Sequence, residues 1–338
     1  MLIHADDPRP QTPEELLGPN LLAKLERLDV TSRKVFPGRL PGERRSKRRG
    51  RSVEFDDYRE YVAGDDLRFV DWNVYARFDK FVIKLFREEE DLAVHVVIDA
   101  TASMHAGSRR DDDGNIVPSK LVYAHRLAMA LGAIALVKQN RLIVSVFGLP
   151  GDGRLRTLAA IRGRPSMPRL ADFLLATVNA DTSGASGDLA DNRTADLTDF
   201  NEAMKQAALT RSGKGVCIVI SDMLTESPIE QGLSYLAAGS GFDTTLIQLL
   251  APAELDPMAD RDRGLVGDLR LTDAETGRGK EVTITGDLIR RYRSKLDQHL
   301  ARVEHACRAR SIGHALVRTD ADLAALLFDS LRKRGPLA

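Results

Sequence analysis

The residues of this chain whose types and spacing suit chemistry are oxygen donors. Asp99, Thr101 and Ser103 alternate within Asp99-Ala100-Thr101-Ala102-Ser103-Met104. A carboxylate with two neutral hydroxyls beside it suits a hard cation such as magnesium, which keeps several waters and takes only one or two carboxylates from a protein. A second acid, Asp222, follows Ser221, and between the two acids in sequence lies a further hydroxyl, Thr198, in Leu197-Thr198-Asp199. Each of these residues also has an ordinary role: a strand-end Asp bonds loop amides, and Ser and Thr are turn formers. Whether the groups act together depends on the elements that carry them.

Val94 to Ile98 is rich in strand formers, so the backbone runs extended through a core and leaves Asp99 at the strand's carboxyl end. Gly215 to Ser221 repeats the pattern and stops at Asp222. Around them strands and helices alternate: helix Leu121 to Val137, strands Leu142 to Phe147 and Arg154 to Ile161, and helices Met167 to Val178 and Asp199 to Leu209. Beyond the second acid come helix Glu230 to Ala238, strand Thr244 to Leu250, a hairpin over about 264–285 turning near Glu275-Thr276-Gly277, helix Leu288 to Arg310, strand Gly313 to Val317 and a last helix from Asp320. This rhythm means a parallel sheet with right-handed crossovers, and its carboxyl edge is where open α/β sheets take ligands. Thr198 can face the same point while Asp199 caps its own helix.

Upstream, residues 1 to 18 read as a flexible lead, followed by a short helix with Leu21, Leu22, Leu25 and Leu28 on one side. Arg44 to Arg51 is strongly basic without an aromatic, which fits a solvated loop or an acidic-partner contact better than a nucleic-acid surface. From Phe55 to Asn73 aromatics alternate with charges. This segment is expected to wrap a core surface, burying Phe55, Tyr58, Tyr61, Phe69 and Trp72 while Arg59, Arg68 and Arg77 pair with carboxylates. Phe81 to Phe86 reads as a strand that Glu88 to Asp91 turns into the opening strand as a hairpin-like edge. Gly107 to Ser119 is a solvated insertion, not a calcium loop, because Arg109 and Lys120 would fall at ligand positions. Asp181 to Asn192 reads as a mobile surface loop.

Forty-nine basic and forty-nine acidic residues cancel, so no whole-protein field draws the chain to nucleic acid or an anionic membrane. Asp6, Asp7 and Pro8 stand where a secretory signal needs a basic end and an apolar run, and no uninterrupted apolar stretch approaches the ~18 residues of a membrane span. Cytoplasmic residence without membrane insertion is the expectation. Two scattered cysteines, Cys217 and Cys307, form no disulfide framework or zinc spacing and are expected to be buried apolar residues. No phosphate-loop motif is present, which places any ATP hydrolysis elsewhere.

Asp99-Ala100-Thr101-Ala102-Ser103-Met104, then Thr198, then Ser221-Asp222, resembles the metal-ion-dependent adhesion site (MIDAS) of von Willebrand factor A domains. Tyr61-Val62-Ala63-Gly64-Asp65-Asp66-Leu67-Arg68-Phe69-Val70-Asp71-Trp72, with Ala76-Arg77, is similar to the signature of a bacterial branch named domain of unknown function 58, and the likeness runs from about residue 20 to 335. The resemblance implies an α/β fold: a doubly wound, mostly parallel, six-stranded von Willebrand factor A-like (Rossmann-like) sheet. A lead with a short helix (1–45) and a signature segment packed on the core (46–91) would precede the main domain (92–338). It further implies Mg2+ or Mn2+ held by Asp99, Thr101, Ser103, Thr198 and Asp222, with one coordination position offered to a partner's carboxylate. Thr101 stands where the family usually has Ser, and Thr194 rivals Thr198. Members are often paired with MoxR-type AAA+ ATPases, so the implied role is a non-enzymatic, chaperone-like adaptor between such a motor and a protein client. The alternative is a metal-dependent hydrolase or phosphatase using the same loops, with His95 or His105 as base. His95 falls mid-strand, and no carboxylate is placed to orient His105.

Overall fold

The computed structural model describes residues 7–18, 21–30, 54–87, 92–110, 114–149, 154–180, 199–211, 213–225, 227–239, 241–256, 267–272, 279–331 and 336–337. The chain divides into two units, one formed by Met1–Lys34 with Leu92–Ala338 and the other by Val35–Asp91. The basic run at Arg44 to Arg51, the loop from Asp181, the hairpin turn near Glu275, and both Thr194 and Thr198 lie outside the described residues.

The larger unit is built on a six-stranded sheet. Its strands are β1 (Ala93–Asp99), β2 (Arg141–Phe147), β3 (Arg156–Arg162), β4 (Gly215–Ser221), β5 (Phe242–Leu250) and β6 (Gly313–Arg318), in the order β6-β5-β4-β1-β2-β3. Only β3, at one edge, runs antiparallel to its neighbour. The helices used below are α1 (Lys120–Val137), α2 (Met167–Val178), α3 (Phe200–Leu209), α4 (Glu230–Ala237) and α5 (Gly286–Arg308).

Burial on both faces explains why β1 and β4 are almost wholly apolar, with His95 the one polar residue inside β1. Their residues still alternate. Val94, Val96 and Ile98 of β1, with Val216, Ile218 and Ile220 of β4, join the core that contains α1; Val97, Cys217 and Val219 join a second core with residues of α3, α4 and α5. Helix α1 meets the length and composition of a membrane span, but 89% of that window is buried inside the protein. Ser119 caps its start, accepting from Val122 N at 3.2 Å. The hairpin expected over 264–285 forms as Gly267–Thr272 paired with Gly279–Ile284.

Several expectations change. From Asp7 onward the lead is anchored: Arg9 donates to Val178 O (3.0 Å), Asn179 Nδ2 donates to Pro10 O (2.8 Å), and helix Pro13–Leu17 buries Leu16 and Leu17. A short amphipathic helix has core surface to cover, and two buried leucines hold it there. The strand Val82–Arg87 forms but pairs with Glu54–Glu60, not with β1. Strand β1 has parallel partners on both sides and no free edge for a hairpin. Within Gly107 to Ser119, Arg109–Arg110 pairs with Ile116–Val117.

In the smaller unit Tyr58 and Trp72 are exposed, 43% and 54%, where burial was expected. The rings pack on one another instead: Tyr75 stacks on Phe81 with centroids 4.2 Å apart, and Trp72 meets both edge-on. What is buried is Asp71, which caps helix Trp72–Phe78 through Asn73 N and Val74 N and receives Lys84 Nζ (3.0 Å) and the Tyr58 hydroxyl (3.1 Å). Arg59 forks onto Asp65 with two 2.7 Å bonds, and Arg68 pairs with Asp66.

Candidate functional site

At the end of β1 the carboxylate of Asp99 is set by its own loop: Oδ1 accepts from Thr101 N at 2.9 Å, an Asx turn that stops the strand. Thr101 Oγ1 and Ser103 Oγ lie 3.2 Å apart at the start of the short helix Ala102–His105. The loop closes tightly on the end of β2. Ala100 N donates to Phe147 O, and a Cβ at Gly148 (φ +78) would stand 2.6 Å from Thr101 N, so only glycine fits there.

The register of β1 against β4 pairs Ile98 with Ile220, which puts Asp99 level with Ser221, not with Asp222. The Ser221 hydroxyl donates to Asp99 Oδ2 at 2.6 Å and accepts from Met223 N at 2.9 Å. One residue further along, the pleat turns Asp222 toward the face covered by α1. There Asp222 Oδ2 receives Lys120 Nζ at 2.8 Å, while Oδ1 accepts from Leu224 N at 2.9 Å. The same ammonium donates to Glu254 Oε1 at 2.5 Å, and Glu254 Oε2 accepts from Ala251 N at 2.8 Å. Met223, buried and in the left-handed region at φ +58, marks where the backbone bends sharply to arrange this.

Burial governs the electrostatics. Asp99 is pushed up to about 7, first by loss of water and then by the nearby Asp222 carboxylate; the Ser221 and Thr101 bonds pull the other way. For Lys120 burial is the largest influence and acts downward, yet Asp222 and Glu254 together outweigh it and hold the ammonium above its ordinary pKa. Lys120 is therefore charged although its side chain is 0% exposed.

The structure brings Asp99, Thr101 and Ser103 together on one loop and places Asp222 beside them, bonded to a lysine. Asp199 caps α3 as expected, accepting from Asn201 N at 3.1 Å. Among the described residues no three His, Cys, Asp or Glu gather as a metal cluster. The first-loop oxygens, one carboxylate and two hydroxyls, remain a donor set of the kind a hard cation takes. Asp222, expected to join that set directly or through water, has Oδ2 bonded to an ammonium and Oδ1 to a backbone amide. The histidines are engaged as well: His95 is buried with Nε2 2.9 Å from Ser145 Oγ, and His105 Nδ1 lies 3.2 Å from the Arg9 guanidinium, which can only donate to it.

Sequence reasoning missed Lys120, Glu254 and the bond from Ser221. One signal was present: Lys120 opens a helix that is apolar nearly all round, and a charged residue there needs a buried partner.

The family model for "Protein of unknown function DUF58" matches residues 57–302. The chain belongs to the DUF58 family. This DUF58 chain is 27% identical over 322 residues to uncharacterized protein Rv1480 of Mycobacterium tuberculosis, covering 95% of the chain and 92% of that protein. It is 32% identical over 127 residues to uncharacterized protein MAV169 of Mycobacterium avium, covering 37% and 70%. Among solved structures it is similar to the conserved hypothetical protein BatB from Bacteroides thetaiotaomicron, at 16% identity and a TM-score of 0.36, covering 69% of this chain and 93% of that one.

Proposed function

We propose that this DUF58 protein is a non-enzymatic interaction module of von Willebrand factor A type. Its contact face would be the carboxyl edge of the sheet where β1 and β4 meet, and it would work as an adaptor between a MoxR-type AAA+ ATPase and a protein client. The observation that carries this reading is the convergence of Asp99, Thr101, Ser103 and Ser221 at the edge between two adjacent central strands. That edge is where the strand order reverses: β2 lies on one side of β1 and β4 on the other.

Asp99, Thr101 and Ser103 would hold Mg2+ or Mn2+, and such an ion supplies an open coordination position for a carboxylate of the partner. Of the two histidines that a hydrolase reading would use as base, His105 Nδ1 faces the Arg9 guanidinium. His95 has no exposed surface, and burial holds its pKa down at about 3.

Binding of a purified MoxR-type ATPase, measured with magnesium, with a chelator and with Asp99→Ala, tests the proposal. Complex formation that weakens in the last two conditions supports it. Absence of a complex under all conditions, or Asp99-dependent turnover of phosphoesters by the isolated protein, overturns it.

A further inference from the structure

Lys120 has no counterpart in the donor pattern that the sequence suggests, and its long side chain is fully buried. Its two partners come from separate parts of the chain: Asp222 follows β4, and Glu254 lies in the segment Pro252–Leu255 after β5. Both carboxylates are fixed on their far sides. Asp222 Oδ1 is held by Leu224 N and Glu254 Oε2 by Ala251 N, so neither can swing away without giving up a backbone bond. The backbone carbonyl of Glu254 also accepts from the Tyr292 hydroxyl of α5 at 2.6 Å. On the lysine side, Lys120 N donates to Ala106 O, and a Cβ at Gly107 (φ +95) would stand 2.6 Å from Ala251 Cβ. The start of α1 and the segment carrying Glu254 are thus in close contact.

We infer that Lys120 is a tethered cation that sets the ion preference of this site. An ammonium is a compact charge with three donors and can stand against carboxylates where a metal ion would. It is covalently supplied, so the Asp222 side keeps its arrangement at any ion concentration. A divalent ion at the first loop then has Asp99 as its carboxylate and meets the repulsion of a positive charge bonded to Asp222. Removing that charge frees Asp222 and Glu254 and changes a weak divalent site into a strong one. Repulsion between a doubly charged ion and a neighbouring unit charge, even at water-like screening, corresponds to about a tenfold change in affinity.

This inference rests on the first loop being a cation site, and the experiment separates the two. Mn2+ is titrated into the full chain, wild type, Lys120→Met and Lys120→Met/Asp99→Asn, with the free ion followed by electron paramagnetic resonance. The expected result is binding at least about tenfold tighter in Lys120→Met than in wild type, accompanied by a Mn2+-dependent rise in Tm, with both lost in the double variant. Equal affinity of wild type and Lys120→Met overturns the role of Lys120 and leaves the first-loop reading standing. No binding by any of the proteins overturns both.

Because Lys120→Met strips two buried carboxylates of their cation and can cost the fold, a second measurement uses wild type alone. In 15N-lysine spectra the Lys120 ammonium is expected as a protonated, slowly exchanging signal that is present without any divalent ion. A Lys120 signal exchanging as fast as those of exposed lysines overturns the inference.

Discussion

The two acid-ended strands look alike in sequence and meet different charges in the structure. Strands β1 and β4 are adjacent, parallel and buried throughout, and each stops at a carboxylate. Asp99 receives neutral donors, the Thr101 amide and the Ser221 hydroxyl, and its pKa rises. Asp222 receives the Lys120 ammonium. The position of a strand-end acid follows from the strand; the charge that faces it is set by which face its side chain takes.

The largest expected effect separates these two ends. Lys120→Met leaves two carboxylates without their buried cation and should lower stability by about 3–5 kcal/mol in urea unfolding at pH 7.5. Asp99→Asn keeps an acceptor for Thr101 N and should change stability by less than about 1 kcal/mol. Equal losses in the two variants would break the contrast.

Acid pH tests the strands two pleats deeper, where His95 of β1 pairs in register with Cys217 of β4. Burial, then the Arg211 charge, lowers His95 to about 3, and burial lowers His125 of α1 to about 4. A depressed histidine favours folding above the unfolded pKa of 6.5, and that contribution is lost as pH falls toward the folded value. Between pH 7.5 and 5 each should remove about 2 kcal/mol. His95→Gln is expected to flatten the pH dependence by that amount, and an unchanged slope would count against the buried neutral imidazole.

Ser221 links the two ends, donating to Asp99 and accepting from Met223 N. Ser221→Ala should cost about 1–2 kcal/mol, with chemical-shift changes reaching both loops. Shifts confined to the Met223 side would show that the bond to Asp99 is not made in solution. The smallest effect is expected at Cys217, whose thiol is pushed up by burial first of all. Folded protein at pH 8 should leave it unmodified by an aromatic disulfide reagent, whereas rapid reaction would mean that β4 is open to solvent.

Much of this was legible from residue order alone. The strand formers of Val94 to Ile98 and the apolar run Gly215 to Ile220 marked buried strands, and alternation with helices marked the sheet type. Asp99, Thr101 and Ser103 were visible as a local pattern because one loop carries all three. Val82–Arg87 was assigned the wrong partner, since its pattern marks a strand without saying which strand it joins. Trp72 was expected to be buried because aromatics usually are, whereas here three rings cover one another.

Local order determined the elements, their ends and the first-loop donor set, because propensity, periodicity and turn chemistry act over a few residues. Tertiary structure alone decided that Asp99 lies level with Ser221 and that Asp222 turns toward α1. A shift of one residue in strand pairing reverses which face each side chain takes. That register, set by packing across the whole sheet, is what gives Asp222 and Glu254 their lysine and leaves Asp99 with hydroxyls and amides.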